Sequence, residues 1–201
     1  MNDTYTTISA PVSDILWKDK NSKFIGYAFP LANELEFKNH LEVLKKLHPT
    51  ANHICYAFQI GVEKIYYRAN DDGEPNNSAG TPIYGQILSF GVTNILVAVV
   101  RYFGGIKLGV SGLISAYKTT AQLTLESSEI IERHLQSNFE LSFEYAILNK
   151  VMKVLKEKKA DILKQKMEMN CLLTISIRKN ESMKLTEAFN SIYGLTWKSL
   201  D

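Results

Sequence analysis

Between Arg101 and Gly112 the chain reads RYFGGIKLGVSG, with four glycines in the nine residues that begin at Gly104. Glycine reaches positive φ and lets backbone N–H groups approach a ligand closely, because no Cβ stands in the way. Several such N–H groups ahead of a helix make an anion-binding concavity, and the helix N-terminus adds partial positive charge. Gly104, Gly105, Gly109 and Gly112 are the candidate cradle. Lys107 adds a mobile charge, Arg101 a planar fork for phosphate, and Tyr102 and Phe103 faces on which a base can stack. Ser111 is either a helix cap or a hydroxyl donor to the same phosphate. The competing reading is a tight strand-to-helix turn packed against its neighbour. Neither nucleotide fingerprint fits: Lys107 is followed by Leu108 rather than Ser or Thr, and no GxGxxG is present. Gly109-Val110-Ser111-Gly112 satisfies the GxxG of RNA-clamping loops, a pattern too short to identify anything alone.

A second constellation is NDDGEP, with Asp71, Asp72 and Glu74. Carboxylates so grouped suit a hard cation that bridges to substrate phosphates, or acid–base work. They also suit a turn in which Asp side chains accept from nearby N–H groups and glycine supplies positive φ. His53 opens the run HICYAFQ, either as a general base or metal ligand beside the acidic loop, or as a histidine bonded within the fold. GVSGL is not a nucleophile elbow, so a serine hydrolase finds no support. His53, Asp71, Asp72 and Glu74 are therefore catalytic candidates only. No metal site is assigned and no cofactor is expected.

These residues need elements to position them. SDILWKDK and SKFIGYAFP read as strands joined at Asp19-Lys20-Asn21. Asn33 to His48 reads as a helix capped by Asn33, with Leu35, Phe37, Leu41, Leu44 and Leu47 on its apolar face and Pro49 ending it. HICYAFQIG and EKIYYRA form a hairpin around Gly61. Thr81-Pro82 opens a helix, with Thr81 as cap, that stops at Gly91. NILVAVV is a buried central strand. After the glycine loop, Leu113, Tyr117, Ala121 and Leu125 share one helix face. From Asn138 onward the pattern runs strand, helix, strand, strand, helix, as in a ferredoxin-like sheet with helices on one face.

The 201 residues suit one or two domains, and an apolar share of 45% with 22% charged residues is ordinary for a globular chain. The net charge of +2 decides nothing about nucleic acid. Its distribution is uneven: 12 Lys and Arg face 13 Asp and Glu before Leu135, against 11 and 8 from there on. The start lacks a secretory pattern, and ILVAVV is too short to cross a bilayer. Cys55 and Cys171 read as buried free thiols, with a disulfide or a reactive thiol as alternatives. A cytoplasmic protein is expected, with no membrane partner.

Taken in order, SKFIG, HICYAF, DDGEPNNSAGTPI and NILVAVVRYFGGIKLGVSGLISAY resemble the IMPACT/YigZ family over about Ser22 to Glu126. Members share DDGEP, a small-residue-AG-x-P stretch and VVRYFGG-x-KLG-x-x-GL. This chain departs from them with Asn76, Asn77 and Ser78 after DDGEP, and with Val110 and Ser111 where relatives often carry Thr-Gly. The resemblance implies an α+β protein of two domains. Residues 1–133 would have the fold of the second domain of small-subunit ribosomal protein number five. Residues 134–201 would be a ferredoxin-like βαββα(β) unit similar to the C-terminal domain of elongation factor G. It also implies a non-enzymatic protein associated with nucleic acid or the ribosome and linked to translation regulation, with RNA, the ribosome or another protein as partner. Two other functions compete with it. One is a metal-assisted enzyme acting on a phosphorylated small molecule; the other is a protein-interaction module. An acidic loop and a glycine loop that face each other within side-chain reach favour the enzyme, a glycine loop on an open positive face favours nucleic acid, and burial of both against the sheet favours the module.

Overall fold

A computed structural model describes residues 3–200. The chain divides into two compact units: Tyr5–Glu132, and residues 3–4 together with 133–200. In chain order the first unit contains β1 (Thr4–Ile8, entering from residue 4), β2 (Val12–Asp19), β3 (Ser22–Pro30), α1 (Glu34–Leu47) and β4 (His53–Ile60). It continues with β5 (Tyr66–Asn70), α2 (Gly80–Ser89), β6 (Ile95–Tyr102), α3 (Gly109–Glu126) and β7 (Ile130–His134). The second unit holds β8 (Gln136–Glu144), α4 (Leu148–Glu157), β9 (Asp161–Lys166), β10 (Asn170–Arg178), α5 (Ser182–Asn190) and β11 (Thr196–Ser199).

The main sheet of the first unit has the order β2-β3-β6-β4-β5, with every neighbouring pair antiparallel. β6 is its middle strand, and helices cover both faces. Ile95, Val97 and Val99 pack under α2 and α3, whereas Leu96, Ala98 and Val100 pack with Phe37 and Leu44 of α1. Strand side chains alternate between faces, so a strand covered on both sides must be apolar at every position. That is why ILVAVV has no polar interruption. The β2–β3 turn is Lys20-Asn21, both at positive φ (42° and 66°), which matches the right-handed twist of a tight hairpin.

Several expected details are corrected. The buried face of α1 is Phe37 and Leu44 with Leu41 beside them; Leu35 and Leu47 lie in solvent. Thr81 does not cap α2, because the helix opens at Gly80 and the Thr81 hydroxyl donates to Asn77 Oδ1. β1 and β7, which local pattern does not announce, pair in a separate two-stranded sheet.

The second unit has four antiparallel strands in the order β11-β8-β10-β9, with α4 and α5 packed on one side. This is the ferredoxin-like βαββαβ arrangement. Trp197 packs against Phe139 and Phe189 in its core. Both cysteines are free and buried. Among the described residues no helix is long and apolar enough to cross a membrane.

Candidate functional site

Register brings the first site residues together. Arg101, near the end of β6, lies opposite Phe24 on β3 and His53 on β4. Cross-strand partners share a face, here the one covered by α2 and α3. Arg101 is only 6% exposed. Its guanidinium lies over the Phe24 ring at 5.4 Å and the Phe103 ring at 5.5 Å, and Nη1 donates to Glu74 Oε1 at 2.5 Å. The same carboxylate oxygen accepts from the Tyr117 hydroxyl of α3 at 2.7 Å. His53 Nε2 stands 3.9 Å away from it. Arg101 Nε is buried and makes no hydrogen bond among the described residues.

The histidine tautomer follows from its other nitrogen. His53 Nδ1 is 2.7 Å from the Asp72 carbonyl oxygen, which can only accept. Nδ1 therefore carries the proton, and in the neutral ring Nε2 presents its lone pair. Next to it, the Cys55 thiol sits 3.0 Å from the Asp71 carbonyl and 3.3 Å from the Tyr117 hydroxyl. Burial pushes the thiol well above its ordinary range, and burial likewise pushes the Tyr117 hydroxyl up.

A cavity of about 470 Å³ opens over this cluster. His53, Glu74 and Arg101 line it, with Asn52 and Pro75 beside them. Phe103, Lys107, Gly109, Val110 and Leu113 also line it, so the acidic loop and the glycine loop share one pocket. The α3 start that faces it has no side-chain cap. An 18-residue helix thus presents its first N–H groups and its positive end to the cavity. Asn52 Oδ1 accepts from Phe103 N–H at 2.8 Å and ties the rim to the β4 approach.

The other predicted residues fall elsewhere. Asp71 accepts from the N–H groups of Asn77, Ala79 and Gly80, so it caps α2 from a distance. Asp72 accepts from Ile54 N–H at 2.6 Å. Tyr102 lies on the other sheet face, bonded to His48 Nδ1 at 2.9 Å. Gly104 N–H donates to Ser22 Oγ, and a Cβ there would stand 2.0 Å from the Asn21 carbonyl carbon. Gly112 is close to Leu108, where a Cβ would make a 3.1 Å contact. Gly105 and Gly109 have φ of +86° and +75° with open space around the missing Cβ. Ser111 is exposed within the first turn of α3 and does not cap it. Tyr117 was missed as a site residue, because a tyrosine on an apolar helix stripe reads as core. Asn52 carried no local signal at all.

An antiparallel sheet covered by helices on both faces, joined to a ferredoxin-like unit, defines a two-part α+β protein with a cleft at one end of its larger sheet. Residues 20–125 match the Impact N-terminal domain model, and the chain belongs to the IMPACT family. It is 34% identical over 188 residues to an IMPACT family member of Haemophilus influenzae, an alignment covering 90% of this chain and 88% of that protein. It is 36% identical to Bacillus subtilis YvyE over 69% of this chain and 64% of that one. Against Escherichia coli YigZ the identity is 37%, over 54% of each chain. One solved structure, of a hypothetical protein, covers 100% of this chain and 99% of its own at 25% identity and a TM-score of 0.74.

Proposed function

We propose that the first unit binds a phosphate-bearing ligand in the cavity at the start of α3, and that the ligand is single-stranded RNA. The observation that carries this reading is the uncapped α3 N-terminus, opening into a cavity that also contains Lys107. Helix N-termini favour anions, and Lys107 adds a full charge. Arg101 contributes less than its type suggests, because Glu74 neutralises it. Phe103, 45% exposed at the rim, offers the face on which a base stacks. Among the described residues, the strands of the second unit add no such platform. Its aromatic strand residues Phe139, Phe143 and Trp197 pack into its own core. Among the described residues of its open sheet face, Lys166 is paired with Glu168, Lys198 with Glu140 and Arg178 with Asp3. The translation context implied by the family resemblance is the setting proposed for such binding.

The test is fluorescence anisotropy of labelled single-stranded and duplex RNA at several salt concentrations. The wild type is compared with Lys107→Ala and with Val110→Asp. Val110 is exposed, and a carboxylate in the first turn suits helix stability while occupying the anion position. Binding that weakens with salt and is lost in Val110→Asp supports the reading. No binding at low salt, or unchanged binding by Val110→Asp, refutes it.

A further inference from the structure

The cavity holds more than an anion site requires. A binding pocket for phosphate needs donors, yet this one also places an imidazole lone pair and a carboxylate on the same wall. His53 Nδ1 is held by the Asp72 carbonyl, so the ring cannot turn Nε2 away without losing that bond. Glu74 Oε1, 3.9 Å from Nε2, is too far for a direct hydrogen bond and close enough to stabilise positive charge on the ring. Glu74 is itself fixed by Arg101 and Tyr117. A base, a charged group that supports its protonated form, and donors for a developing anion are the parts of a general acid–base site.

We propose that the first unit cleaves RNA by internal transesterification, with His53 as the catalytic base; this rests on RNA being the ligand. His53 Nε2 takes the proton of a ribose 2′-hydroxyl. The 2′-oxygen forms a bond to the adjacent phosphorus, and the bond from phosphorus to the 5′-oxygen of the next nucleotide breaks. That oxygen leaves with a proton from solvent, and His53 later returns its own proton to solvent. The products are a 2′,3′-cyclic phosphate and a 5′-hydroxyl, with no oxidant, reductant or co-reactant needed. The α3 N-terminus and Lys107 stabilise the charge that accumulates on the phosphate oxygens. Glu74 is a positioning residue that supports the imidazolium.

The experiment uses the full chain and a labelled single-stranded oligoribonucleotide in the presence of a chelator. A 2′-O-methylated copy, which can bind but cannot react, reports binding separately. Expected are cleavage of the unmodified strand only, a 2′,3′-cyclic phosphate end by mass spectrometry, and a rate that rises with pH. His53→Gln, purified in parallel and verified as folded by amide exchange, should slow cleavage about 10²-fold or more while still binding the methylated strand. Glu74→Gln should change the pH profile as well as the rate. Binding of the methylated strand with no cleavage of the unmodified one overturns the chemistry and leaves the binding reading intact. Equal cleavage by His53→Gln also overturns the chemistry. Failure to bind the methylated strand removes the RNA reading and this proposal with it.

Discussion

Removing Glu74 alone from the Arg101–Glu74 pair should cost far more than removing both partners. Their side chains are 7% and 4% exposed, so a partner left alone is a charge away from water. In Glu74→Leu the guanidinium is stranded between Phe24 and Phe103, and the Tyr117 hydroxyl loses its acceptor. The stranded charge costs about 3–5 kcal/mol. The hydroxyl adds about 1 kcal/mol. Arg101→Leu is milder, because Glu74 keeps the Tyr117 donor. In the double variant the two leucines restore apolar packing and only the hydroxyl remains unmet. A coupling of at least about 2 kcal/mol is therefore expected. Amide exchange of β6 reads the opening of this unit within the intact chain. Each 1.4 kcal/mol appears there as about a tenfold change in exchange rate. The double variant should thus exchange more slowly than Glu74→Leu alone. Additivity within about 0.5 kcal/mol would refute the reasoning, since it would mean that the two charges do not depend on each other.

Asp71→Ala removes the acceptor for three N–H groups at the start of α2 and should cost about 1–3 kcal/mol, seen first as faster amide exchange in α2. The Cys55 thiol, buried and pushed up by that burial, should stay silent to a thiol reagent in the native protein and react only in denaturant. In the second unit, the Arg178 guanidinium beside Asp3 holds the Asp3 carboxyl below the usual carboxylate range. The unfolded chain then binds the extra proton below about pH 4, so this pair's contribution is full above that pH and falls with acidification. A urea midpoint followed by Trp197 emission in a Trp17→Phe background should fall with pH less steeply in Asp3→Asn than in its parent.

What the sequence reveals depends on how local the cause is. The β6 run, the α3 stripe of Leu113, Tyr117, Ala121 and Leu125, and the Asn33 cap are each set by neighbouring residues, and each is found where expected. The apolar face of α1 is less legible, because leucines at helical spacing do not say how far the sheet beneath extends. β1 and β7 are short, partly exposed strands that exist through each other, more than a hundred residues apart. The Asp71 cap is hidden for a related reason. A carboxylate eight or nine residues ahead of the N–H groups it accepts is not a local capping pattern. The cavity itself was half legible. His53, Glu74, Arg101 and Lys107 carry the right chemistry in the sequence, yet only strand register puts His53 opposite Arg101.

The glycine loop can be divided by substitution into the part that packs and the part that faces a ligand. Gly104→Ala forces a Cβ within 2.3 Å of the Asn21 carbonyl oxygen and the Ser22 nitrogen, so the β2–β3 turn must move. Backbone on both sides cannot yield cheaply, and a loss of about 3 kcal/mol or more is expected. Gly105→Ala meets open space and pays only for positive φ, about 1–2 kcal/mol. Stability should therefore fall much further in Gly104→Ala, measured by exchange in β3. RNA affinity should respond in Gly109→Ala, at a glycine that lines the cavity, and in Gly105→Ala, at an open position of the same loop. If both leave affinity unchanged in variants that remain folded, the glycines serve only the turn. The anion site then reduces to Lys107 and the first turn of α3.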